Sequence, residues 1–258
     1  MEKNSTLYTV VFAAVVCLVC GVAVASSAVG LRERQDLNKM IDKKSKVLAA
    51  AALLPEGEIV PATVLRLYDD HVVPKLVFLK TGEEVTGESA ADFDFQKAMK
   101  DPAQSSVAPE NKAKVARLPE KAVLYEIQKD GETTSLVLPV EGKGLWSTLY
   151  GFLALSKDTH TVQGLIFYQH GETPGLGGEV DNPRWLAFWP GRKAFDENHQ
   201  PALEVLKGPA GTVEMAPHHV DGLSGATITS RGVTHLLSFW LGDDGFGPTL
   251  AKYREHAK

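Results

Sequence analysis

The run Ala122-Val123-Leu124-Tyr125-Glu126-Ile127, then Lys129-Asp130-Gly131-Glu132, then Thr134-Ser135-Leu136-Val137-Leu138 decides the fold class. Its outer segments are rich in β-branched, aromatic and aliphatic residues that fit extended backbone, and the central Asp-Gly tolerates the positive φ of a tight turn. The stretch therefore reads as a β-hairpin. A second hairpin is expected from Gly151-Phe152-Leu153-Ala154-Leu155 to Val162-Gln163-Gly164-Leu165-Ile166-Phe167-Tyr168, turning at Lys157-Asp158-Thr159-His160. Successive hairpins imply an antiparallel sheet. With helical patterns toward both ends, the expected class is α+β, a mainly antiparallel sheet with flanking helices, rather than a doubly wound fold. No period of 20 to 50 residues recurs, so a repeat array is not indicated.

Working outward toward the C-terminus, Val233, Leu236, Leu237, Trp240 and Leu241 fall at i, i+3, i+4, i+7 and i+8, one apolar face of a helix. The chain enters that helix through Asp221-Gly222-Leu223-Ser224-Gly225-Ala226-Thr227-Ile228-Thr229-Ser230. At a helix N-terminus the first N–H groups lack intrahelical partners and the peptide dipoles sum to partial positive charge, so an anion such as phosphate is favoured there. A Ser/Thr/Gly-capped turn satisfies the same pattern, so the pattern alone leaves both readings open. Two further glycine-rich stretches follow strands: Gly142-Lys143-Gly144-Leu145-Trp146, and His170-Gly171-Glu172-Thr173-Pro174-Gly175-Leu176-Gly177-Gly178-Glu179. Such backbone freedom costs conformational entropy, which ordering against a ligand or another loop offsets. A core tryptophan and a plain turn are the alternatives for these two.

Toward the N-terminus, residues 7 to 31 contain no Asp, Glu, Lys, Arg or His. As a helix those residues reach roughly 37 Å, against a hydrocarbon core of about 30 Å, which favours one retained transmembrane anchor over a cleaved signal peptide. Only Lys3 precedes the span, whereas Arg32, Arg34, Lys39, Lys43, Lys44 and Lys46 follow it; the positive-inside rule then puts the following domain in the cytoplasm. Cys17 and Cys20, the only cysteines, lie inside the span, so the rest of the chain has no disulfide framework and no Cys-ligated metal. After the span, a juxtamembrane helix from 32 to about 55 should end before Pro55-Glu56-Gly57. A short helix at 62–67 and a strand at 75–80 are expected next. Residues 90–119 are polar, alanine-rich and broken by proline, which suits helical pieces or a loose excursion better than core. A short helix at 183–189 and a strand at 202–206 complete the pattern.

The 258 residues carry a net charge of −5 and are 44% hydrophobic and 23% charged, a folded composition without the basic excess of a nucleic-acid binder. His218-His219 has no accompanying ligand cluster, so metal binding is not expected. No Gly-X-Ser-X-Gly elbow, P-loop or dinucleotide fingerprint occurs, so neither hydrolysis nor NADH binding by this chain is indicated.

Asp221-Gly222-Leu223-Ser224-Gly225-Ala226-Thr227 resembles the flavinylation motif of the FMN-binding domain family, and Gly144-Leu145-Trp146 and Glu172-Thr173-Pro174-Gly175-Leu176-Gly177 resemble two other loops of that domain. With its single span and its Phe239-Trp240-Leu241-Gly242 and Gly245-Phe246-Gly247-Pro248 ending, the chain is similar over nearly its full length to the C-subunit family of sodium-translocating NADH:quinone oxidoreductases. The G subunit of the ion-translocating ferredoxin:NAD oxidoreductase complex shares the motifs and stays open as a runner-up. A non-redox membrane-anchored binding module is the reading from a different class.

The resemblance implies that Thr227 carries FMN through a phosphoester, with Ser224, Gly225 and Ala226 shaping the phosphate site. It implies that Glu172, Thr173, Gly175, Leu176 and Trp146 lie by the isoalloxazine, and that Asp221 helps attachment by a flavin transferase. Thr229 and Ser230 are expected to be no more than the helix's first turn. It further implies an electron-transfer role between NADH and ubiquinone with no catalytic residue or metal on this chain, in company with the membrane and flavin subunits of one respiratory complex. The implied setting is a bacterial inner membrane with the flavin domain in the periplasm, against the charge count; long domains translocate largely regardless of charge. The expected division is an anchor at 1–31, a juxtamembrane and N-terminal part at 32–120, and an FMN-binding domain at 121–258.

Overall fold

The structure is a computed structural model that describes residues 6–55, 57, 60–91 and 93–256; Lys3 and Glu56, named above, lie outside them. Two compact units divide at residues 43 and 44. The first is most of helix α1 (Thr6–Ala50), long and apolar enough to cross a membrane. Its large apolar side chains are exposed all round, Val10, Val19 and Val29 among them, the pattern of a helix whose solvent is lipid. Cys17 and Cys20 are exposed free thiols on it. The expected juxtamembrane helix is not a separate element: α1 runs on without interruption, because no Gly or Pro stands between Leu31 and Ala50. It ends at Ala50, and the φ of 55° at Ala52 with the Leu53 N–H bond to the Leu48 carbonyl closes the turn beyond it.

The second unit begins in the last turns of α1, where Val47 and Leu48 are fully buried. Helix α2 (Pro61–His71) starts on a proline and is longer than expected, running directly into strand β1 (Val72–Phe78). Residues 90–119 supply α3 (Phe95–Lys100), β2 (Ser105–Val107) and β3 (Arg117–Pro119). The expected helical piece is present as α3, and the expectation that the stretch lies outside the core is corrected. Phe95, Ala98, Met99, Ala113 and Val115 are buried, and Phe95 meets Trp240 edge to face at 5.4 Å. Scattered single apolar residues between prolines have no period to read.

Strands β4 (Lys121–Lys129), β5 (Glu132–Lys143), β6 (Thr148–Ser156) and β7 (Val162–Gln169) complete a five-stranded antiparallel sheet in the order β1-β4-β5-β6-β7. Both expected hairpins are present. Asp130 and Gly131, at φ 54° and 81°, make the β4–β5 connection with the twist that tight hairpins require. The register places Val137, Ala154 and Gly164 on one face. That face receives the end of α1 so closely that a Cβ on Gly164 would lie 2.4 Å from the Ala50 carbonyl oxygen. On the opposite face Gly142 lies against Leu236.

Beyond the sheet come a 3-10 turn (Gly177–Asp181), α4 (Pro183–Leu186), and two short strands, β8 (Glu204–Val205) and β9 (His219–Val220). The strand expected at 202–206 shrinks to two residues and pairs in parallel with β9. Helix α5 (Thr227–Leu241) and helix α6 (Gly247–His256) close the unit. All five residues of the α5 stripe are at most 1% exposed. Each contributes about 1.5–3 kcal/mol of hydrophobic burial, which fixes α5 to the sheet and with it the position of its N-terminus.

Candidate functional site

Four stretches converge around the start of α5. The β5–β6 connection (144–147) is closed by the Gly144 N–H bond to the Ser147 carbonyl, 2.8 Å. It leans on Glu172, whose side chain is buried and accepts five hydrogen bonds. Oε1 accepts from the backbone N–H of Trp146 (2.9 Å) and Ser147 (3.0 Å) and from the Ser147 hydroxyl (3.3 Å). Oε2 accepts from the Leu145 N–H (3.2 Å) and from the Thr229 hydroxyl (2.7 Å). Burial opposes the charge of Glu172, but the Thr229 hydroxyl and the three amides outweigh it and hold its pKa below the usual carboxylate value. One side chain thus ties the loop at 144–147, the loop at 170–178 and the first turn of α5 together.

The glycines of this cluster are required by close approach. A Cβ on Gly144 would lie 2.7 Å from Glu172 Oε1, and one on Gly177 would lie 2.6 Å from Thr229 Oγ1 and 2.7 Å from Glu172 Oε2. Ser147 adds a second tie, its hydroxyl accepting from the Gly171 N–H at 2.7 Å.

Thr229 and Ser230 therefore do more than form the first helical turn. Thr229 joins Glu172, and the Ser230 hydroxyl accepts from the Leu223 N–H at 3.1 Å, pinning the acceptor loop to its own helix. The signal was present: they sit four and three residues before Val233, on the buried stripe, where a hydroxyl needs a partner. Ser147 carried no such signal, because its partners are 24 and 25 residues away.

Thr227 is the first residue of α5 and is half-buried, while Ser224 and Gly225 before it are exposed. No side chain caps this end; the N-cap residue is Ala226, whose methyl cannot accept a hydrogen bond. The first amides of α5 thus face out without a side-chain acceptor, beside a hydroxyl and a turn made by Gly225 at φ 69°. Leu176 reaches this turn, since a Cβ on Gly225 would lie 2.8 Å from Leu176 Cδ2. Thr173 and Gly175 are exposed on the same loop, and the Thr173 carbonyl accepts from the N–H groups of Leu176 (3.1 Å) and Gly178 (2.9 Å). Trp146 is 67% exposed and Leu176 44%, so the tryptophan is not a core residue. Large apolar side chains left open beside an uncapped helix end suit a ligand with a flat aromatic part and an anionic part.

Asp221 stands on the other flank. Its carbonyl accepts from the Trp185 indole N–H (2.8 Å) and its Oδ1 from the Ala210 N–H (2.8 Å). Among the described residues no group of three or more metal-ligating side chains occurs. The open groove lined by Phe78, Leu79, Leu118 and Asp243 shares no residue with the cluster.

Comparison with known proteins matches residues 144–242 to the FMN-binding domain family, a range that contains every loop of this cluster. The chain is 46% identical over 256 residues to the C subunit of the Na(+)-translocating NADH-quinone reductase of Vibrio anguillarum, covering 98% of this chain and 95% of that one. It is 46% identical over 257 residues to the corresponding protein of Pseudomonas aeruginosa, covering 98% of each. Among solved structures it is similar to Shewanella oneidensis NqrC, with a TM-score of 0.77 and 35% identity over 84% of this chain and 99% of that one.

Proposed function

The chain belongs to the C-subunit family of Na(+)-translocating NADH-quinone reductases, and on that premise we propose that it relays electrons within such a complex through FMN joined by its phosphate to the Thr227 hydroxyl. The observation that carries this reading is the start of α5: a hydroxyl residue at the first helical position, no side-chain cap, and a glycine turn in front. A phosphodiester at Thr227 keeps one negative charge where the helix dipole contributes roughly 0.3–1 kcal/mol, more where partly buried.

FMN would supply the electron chemistry here. The chain's own residues hold and orient. Ser224, Gly225 and Ala226 shape the phosphate end; Trp146, Thr173, Gly175 and Leu176 offer apolar faces and polar edges to the ring. Glu172 acts from behind, since its acceptor capacity goes to five protein donors. Asp221 assists attachment by a flavin transferase. The flavin-binding part is taken as 121–258, with β1 completing its sheet, and sodium moves through other subunits.

The domain is read as periplasmic, supported by the family resemblance and opposed by the Lys/Arg count after the span. Protease accessibility in spheroplasts decides between the two. The covalent link is tested by intact mass of wild type and Thr227→Val expressed with the transferase: wild type should carry FMN less one water and the variant none. Flavin on the variant, or none on wild type, sinks the assignment. Asp221→Ala should give a folded protein without covalent flavin, read by ultraviolet fluorescence of the denatured band.

A further inference from the structure

Arg192 is 2% exposed and makes no salt bridge among the described residues. Its guanidinium donates instead to four backbone carbonyls: Nε to Phe188 (3.1 Å), Nη1 to Thr212 (3.2 Å) and Ala216 (2.7 Å), and Nη2 to Gly211 (2.8 Å). The exposed Glu214 carboxylate feels its charge only as a minor influence, behind hydrogen bonds from the Thr212 hydroxyl and its own amide. Burying a cation without a contacting counter-ion is costly, so the arrangement persists for what it orders. What it orders is the segment 207–217, in which no residue is buried and which therefore has no apolar core of its own.

That segment in turn grips the front of the acceptor loop. The Ala210 N–H donates to Asp221 Oδ1 (2.8 Å) and the Gly222 N–H donates to the Gly208 carbonyl (2.9 Å). A Cβ on Gly222 would lie 2.1 Å from the Leu206 carbonyl oxygen. Asp221 Oδ1 is thus fixed, while Oδ2 accepts no hydrogen bond among the described residues and the residue is half-buried. The carboxylate is held by one oxygen and offered by the other.

We propose that Arg192 is a positioning residue for the flavin-loading step, acting through the segment 207–217 to present Asp221 to the transferase. This rests on the reading of Thr227 as the covalent acceptor. In that step the Thr227 hydroxyl oxygen bonds to the flavin-side phosphorus of FAD, the phosphoanhydride bond breaks, AMP leaves with the bridging oxygen, and the hydroxyl proton passes to water. A carboxylate displaced by about an ångström slows such a step ten- to a hundredfold without changing how FAD binds.

The experiment uses the full chain in detergent, made without the transferase and then incubated with purified transferase, FAD and Mg2+, with loading followed by intact mass. Arg192→Met should lower kcat for loading at least about tenfold per folded molecule while the KM for FAD stays within about twofold. Ala210→Pro removes the single donor to Asp221 Oδ1, leaves Arg192 untouched, and should do the same; it decides the matter if Arg192→Met does not fold. A folded variant of either kind that loads at the wild-type kcat overturns the proposal. So does a loss of loading that only tracks the folded fraction. Wild type that fails to load overturns the Thr227 reading instead.

Discussion

The two loops that flank the acceptor loop are built on opposite charges. On one side the buried carboxylate of Glu172 gathers the N–H groups of Leu145, Trp146 and Ser147 and the Thr229 hydroxyl; on the other the buried guanidinium of Arg192 gathers carbonyls of Phe188, Gly211, Thr212 and Ala216. The sign of each charge matches the backbone groups turned toward it: N–H groups of 145–147 meet a carboxylate, and carbonyls of Gly211, Thr212 and Ala216 meet a guanidinium. Neither loop has enough apolar side chain to order itself. Each is held by one ion, and each ion acts on one end of the acceptor loop.

Removing either ion breaks the comparison most severely. Glu172→Ala leaves three amides and two hydroxyls without their acceptor and should destabilise the protein by about 3 kcal/mol or more, measured by urea unfolding of the full chain in detergent. A loss under about 1 kcal/mol makes Glu172 an incidental neighbour rather than the tie. Gly222→Ala should follow, at about 2–3 kcal/mol, because the carbonyl it would strike is backbone and cannot swing away. Gly175→Ala is the control: its φ of 75° strains any Cβ, but nothing lies within 4 Å, so about 1 kcal/mol is expected.

Titration sharpens the contrast within one residue type. Glu141 stands on β5 three residues before Gly144, and burial, partly offset by Lys100, pushes its pKa up to about 7. A carboxyl raised in the folded state contributes stability below about pH 4.5, and that contribution is lost as pH rises toward 7. Glu141→Gln should therefore stabilise the protein at pH 8 by about 1–3 kcal/mol and do little at pH 4. Glu172 runs the other way. Its folded pKa lies below the ordinary value, so its contribution is complete above about pH 5 and is lost as pH falls through the folded pKa. Wild type should lose melting temperature between pH 5 and 3 more steeply than Glu172→Gln; equal slopes contradict the assignment. Thr229→Val, which keeps shape and removes one of five donors, should cost no more than the Gly175→Ala control, about 1 kcal/mol.

Much of this was legible because it is local or periodic. The hairpins around Asp130-Gly131 and around 157–160 follow from alternation and turn chemistry, and the stripe of α5 from 3.6-residue spacing. The burial of Phe95 under Trp240 was not, since the two are 145 positions apart and nothing periodic links them. Nor was the partner of Arg192: a lone arginine in a sequence announces a charge, not which carbonyls will surround it.

The stretch 221–230 shows where the boundary lies. The sequence by itself determined that a glycine-bearing loop of small and hydroxyl residues runs into a helix with one apolar face, because turns and helical periodicity are properties of neighbouring residues. Only the tertiary structure decided that the helix starts at Thr227 with an uncapped end, that Thr229 reaches Glu172, and that Asp221 is held through Ala210 by a segment ordered on Arg192. Those choices depend on which buried polar groups meet once the sheet and α5 have packed, and the need to satisfy each of them is imposed by burial, which no local pattern records.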